Sequence, residues 1–107
     1  MSEFDVLASG AQGMAREREI LEIAARNVAA AQASTPEHQY HRLVAEFEDD
    51  TDFDADESVN VRETSEPVDA LTEMVSMLDA QRGYEASASI FDVGKRIAER
   101  TIDLDRL

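Results

Sequence analysis

Asp52, Asp54, Asp56 and Glu63 fall at positions 1, 3, 5 and 12 of an EF-hand-type calcium loop, with Val59 at position 8. Carboxylates so spaced could ring a hard divalent cation. The sixth position is Glu57, however, where the sharp turn calls for glycine and a side chain makes the left-handed conformation costly. The surrounding run from Glu48 to Ser58 is so acid-rich that partial matches arise easily, and it reads as a solvated acidic loop rather than a calcium site. His38 and His41, three apart beside Glu37, share a face only on a helix, and Pro36 opposes a long helix there. With no further histidine, the four ligands of a structural zinc site are not available. Ser9, Ser34, Ser58, Ser65, Ser76, Ser87 and Ser89 lack a nucleophile-elbow context, and no glycine-rich phosphate loop occurs. The expectation is a protein without catalytic residues, cofactor or metal.

Composition narrows the partners. Among 107 residues, 24 are acidic and 10 basic, a net charge of −14 that repels nucleic acid and anionic lipid. Neither is expected as a partner. Without cysteine there are no disulfides or thiolate sites, so any redox compartment suits the chain. Met1 to Asp5 lacks the basic start and apolar run of a cleaved signal peptide, and no apolar stretch has the length of a membrane span. A chain this small buries a modest core and gains much from neighbours.

The pattern predicts an all-α fold in one structural unit. Residues 1–33 form an amino-terminal helix, 34–66 an irregular or extended acidic connection, and 67–107 a carboxyl-terminal helix. The two helices pair as a coiled-coil hairpin. In the first helix, Phe4, Leu7, Ala11, Met14, Leu21, Ala25 and Val28 recur in alternating three- and four-residue steps, a heptad seam. Arg18 also occupies the seam. Either its stem packs with the head in water, or it pairs between subunits with a carboxylate such as Asp79. Ser34-Thr35-Pro36 ends the helix, Tyr40–Phe47 runs extended or as a short helix, and Val59–Val61 is a short extended piece.

Pro67 suits the first turn of the second helix. There Val68, Leu71, Val75, Leu78, Ala86, Ile90, Val93, Ile97 and Leu104 fall on one side, expected to face the first helix. Met74, Met77, Tyr84, Ala88, Phe91 and Ile102 form a second stripe, roughly opposite. Two stripes on one helix imply neighbours on both sides, some in other molecules. Ala80, Gly83 and Ser87 lie on a flank between the stripes, where small residues permit a close helix crossing.

Glu73 to Ala86 resembles the EMVxMxxAxRxYEA signature of bacterial flagellar rod and hook proteins over fourteen residues, among them Arg82, Gly83 and Tyr84. Leu7-Ala8-Ser9-Gly10 through Asn27-Val28-Ala29-Ala30-Ala31 is similar to that family's SGL…NIANA segment, although Ala30 and Gln32 stand where the family has asparagines. Tyr40-His41-Arg42 matches its Tyr-x-Arg. Length and motif order resemble the proximal rod members.

The resemblance implies a structural subunit of the flagellar basal-body rod. Its terminal helices would assemble with copies of itself and with other rod proteins into a torque-transmitting helical tube. Localisation would be the periplasmic rod, reached uncleaved through the flagellar export apparatus. The alternative from charge alone is a soluble acidic helical hairpin that binds a basic protein partner.

Overall fold

The computed structural model describes residues 2–47 and 59–105. The acidic run with Asp52, Asp54 and Asp56 lies outside the described residues. In chain order the elements are helix α1 (Glu3–Ala33), strands β1 (His41–Phe47) and β2 (Val59–Pro67), and helix α2 (Ala70–Asp105).

The chain is not all-α. β1 and β2 pair antiparallel in a two-stranded sheet, with Leu43 opposite Glu63, Val44 opposite Arg62 and Phe47 opposite Val59. The register slips between His41 and Leu43, so that His41 pairs with Pro67. Pro67 therefore ends a strand instead of opening the helix. It lies in a strand with only one neighbour, as a residue without an N–H requires. A two-stranded ribbon is marginal alone, and β2 is mostly exposed. Contacts to the helices decide its conformation, and local propensity does not reveal them.

Both helix starts are capped. Ser2 and Asp5 form a reciprocal capping box: the Asp5 N–H donates to Ser2 Oγ at 3.3 Å and the Ser2 N–H to Asp5 Oδ2 at 3.0 Å. Accepting that backbone N–H holds the Asp5 carboxyl below its ordinary value of 3.8. At α2, Asp69 Oδ1 accepts from the Leu71 N–H at 3.1 Å and the Asp69 carbonyl from the Glu73 N–H at 3.1 Å.

The helices run antiparallel and meet on small residues. Gly10 faces Phe91, Gly13 faces Ser87, Gly83 faces Glu17, and Gly94 faces Val6 and Leu7. All four glycines of the chain thus sit mid-helix on this seam. Mid-helix glycine costs about 1 kcal/mol against alanine, and here close approach offsets the cost. A Cβ at Gly10 would stand 2.7 Å from the Phe91 nitrogen and 2.9 Å from its Cα. The buried apolar side chains among the described residues are Ile23, Ala24, Ala80 and Ala98. The result is a lath of 71 × 24 × 15 Å.

Candidate assembly interface

Two polar joints fix the sheet on the helix pair. Asn27 is buried, and its carboxamide meets both main-chain groups of Leu43: Nδ2 donates to the carbonyl at 2.9 Å and Oδ1 accepts from the N–H at 2.9 Å. It pairs with β1 as a neighbouring strand would. Arg42 Nε donates to Glu73 Oε1 at 2.6 Å and Nη2 to Ser76 Oγ at 3.0 Å. The Arg42 carbonyl, where the register slips, accepts from Thr64 Oγ1 at 2.8 Å. A buried carboxylate is tolerated only when paired and hydrogen-bonded. No buried side-chain nitrogen or oxygen among the described residues lacks a partner. Farther along β1, Phe47 lies under the Arg16 guanidinium, 5.3 Å from the ring centre.

With the sheet on one flank of the helix pair, the apolar residues of the sequence pattern divide between two surfaces. The first is a ridge on the outer side of α2. Leu71, Val75, Leu78, Ile90, Val93 and Ile97 are exposed, Leu78 by 57%. The expectation that this stripe faces α1 is corrected: the α1-facing side of α2 is the one bearing Ala80, Ser87, Gly94 and Ala98, because only small side chains let the backbones approach so closely. Arg82 is exposed on the same outer side.

The second surface flanks the seam away from the sheet. Leu7, Met14, Leu21 and Val28 of α1 fall there by helical geometry, with Met77, Tyr84 and Phe91 of α2, all half-buried. Midway along it Arg18, Leu21, Gln81, Tyr84 and Glu85 line an open groove. Met74 and Ala11 are exposed at its margins, and Phe4 is exposed near the end of the pair. Gly83 belongs to the seam itself, against Glu17.

His38 and His41 are not brought together in a ligand set. His38 packs edge-on against Tyr40, and His41 Nδ1 lies 3.3 Å from Glu63 Oε1. No group of metal-ligating side chains occurs among the described residues. Sequence reasoning placed Asn27, Arg42 and Glu73 inside the motifs that carry the resemblance but gave none of them a structural role. The available signals were an amide in an alanine-rich helix end and a carboxylate at the α1-facing position of α2.

No helix among the described residues is long and apolar enough to cross a membrane. No curated protein matches the chain. Residues 64–104, the end of β2 and nearly all of α2, match the family described as Flagellar basal body rod FlgEFG protein C-terminal. That match takes in Glu73, the α2 side of the glycine seam and the outer ridge, and it supports a flagellar rod-protein family, a structural component of the basal body that serves motility and is not an enzyme family.

Proposed function

We propose that this chain is a rod subunit of the proximal, FlgC-like type, which assembles through α1 and α2 with copies of itself and with other rod proteins. The tube so formed transmits torque in the periplasm, and the subunit reaches it through the flagellar export apparatus. Helices and sheet act as one structural unit. The residues of helix packing and assembly are Phe4, Leu7, Ala11, Met14, Leu21, Val28, Leu71, Met74, Val75, Met77, Leu78, Arg82, Gly83, Tyr84, Phe91 and Ile97, with Gly83 in the helix seam. A short link between the helices, in place of a folded middle domain, favours the proximal type. Net negative charge leaves nucleic acid and lipid outside the partner set.

The observation that carries this reading is the inversion of side-chain size across α2. Small residues face its own partner helix, and Leu71, Val75, Leu78, Val93 and Ile97 face outward. A contiguous apolar ridge of that kind marks a surface made for another protein. The test is sedimentation velocity of the purified chain across concentration, beside Val75→Asp with Leu78→Asp. Wild type associates with rising concentration, whereas the variant stays monomeric with the helicity of dilute wild type. Motility is lost in cells that carry the variant. A wild-type chain that remains monomeric alone and with other rod proteins refutes the proposal.

A further inference from the structure

We infer that the groove beside Arg18 receives the outer α2 ridge of a second copy, with Arg18 of one chain paired to Asp79 of the next and Glu85 paired to Arg82. The inference rests on the assembly reading and specifies which two surfaces meet.

Three observations point to this occupant. The first is shape. A groove between two helices takes a ridge of side chains; the Arg18–Leu21–Tyr84 groove is open, and Val75 is a large apolar residue exposed one turn before Asp79 and two turns before Arg82. The second is charge. Arg18 and Glu85 line the groove, while Asp79 and Arg82 fall on the same outer side of α2 as Val75. None of these four side chains makes an ion pair or hydrogen bond among the described residues, so each opposite charge is available to a neighbour. The third is placement. Gln81, at the groove, and Val75 and Asp79, on the ridge, point to different sides of α2. Groove and ridge of one chain cannot meet each other. A contact between unlike patches does not close on itself and propagates from copy to copy.

The chain has no cysteine, which makes disulfide trapping clean. The double variant Arg18→Cys with Asp79→Cys is oxidised at a concentration where the wild type associates, then run on a non-reducing gel. The expected result is a ladder extending past dimer. A mixture of the two single variants gives dimer only, and neither single variant alone gives any. In parallel, Arg18→Asp weakens self-association by about tenfold, and adding Asp79→Arg restores it, as for other close interfacial charge pairs. If the variants associate like wild type but no disulfide links position 18 to position 79, and Asp79→Arg restores nothing, this contact is wrong and the assembly reading stands. If the wild type never associates, alone or with other rod proteins, the assembly reading falls and this contact with it.

Discussion

Arg42 holds the Glu73 carboxylate at 2.6 Å across thirty-one residues of sequence, with Glu73 1% exposed and the Arg42 side chain 24% exposed. The pair is unequal. Deleting Arg42 strands a buried carboxylate, whereas deleting Glu73 leaves a guanidinium that can turn to water. Arg42→Ala should therefore destabilise by about 3 kcal/mol, toward the range for breaking a buried pair, and Glu73→Ala by roughly half as much. Urea unfolding of the two variants measures the difference. Equal losses would mean that the joint acts through packing alone.

The seam makes a sharper comparison between two glycines. Gly10→Ala sets a methyl against the Phe91 main chain, which cannot move without parting the helices. The expected loss is about 1–3 kcal/mol, as for overpacking, despite the better helix propensity of alanine. Gly83→Ala meets the carboxylate end of Glu17, a flexible side chain that can swing away. Its propensity gain of up to about 1 kcal/mol should then survive. Thermal melts that rank Gly10→Ala above Gly83→Ala would contradict the seam.

Acid should fray the start of α1. The Asp5 carboxyl titrates below 3.8 in the folded chain because it accepts the Ser2 N–H. A lowered value means the capping contact stabilises fully above 3.8 and fades as pH falls through the folded midpoint. Carboxyl NMR should place the Asp5 midpoint under 3.8, and Asp5→Asn should abolish the pH dependence of amide protection in the first turn. An Asp5 midpoint at or above 3.8 would remove the basis for this fraying.

The separated subunit should be loosely ordered. Its buried apolar set among the described residues is Ile23, Ala24, Ala80 and Ala98, a small core for two helices of 31 and 36 residues. Hydrogen exchange across residues 4–30 and 70–104 should be fast in dilute chain and slow in associated material, as in folding coupled to binding. Slow exchange at high dilution, with one sharp unfolding transition, would show that the core suffices.

The helices were legible because Leu7, Met14, Leu21 and Val28 keep a helical period for four turns or more and Pro36 stops it. The sheet was legible only in pieces: Val59–Val61 read as extended and Tyr40–Phe47 as extended or a short helix, but not their pairing. Beyond Val61, β2 holds Arg62, Glu63, Ser65 and Glu66, mostly exposed, with no apolar alternation to carry the strand on. Its partner is fixed by Asn27 and Arg42, contacts that join distant segments. The face of α2 was misassigned for a related reason. Periodicity assumes that the largest apolar residues point inward, yet Leu78 and Val75 point out and Ala80 and Gly83 point in. Periodicity picked out the apolar residues of both helices, while the side each residue occupies depended on main-chain approach.

Close contact at Gly10 and Gly94 puts main chain against its neighbour, where a leucine seam would interpose side chains with several rotamers. The distance between α1 and α2 then has few ways to vary, and the lath, 15 Å in its thinnest dimension, behaves as a part of fixed gauge. In an array of identical parts, small dimensional errors accumulate along the line. In the proposed assembly, fixing the gauge inside each part, and leaving Leu78, Val75 and Met74 outside where their rotamers can adjust, would confine the tolerance to the joints.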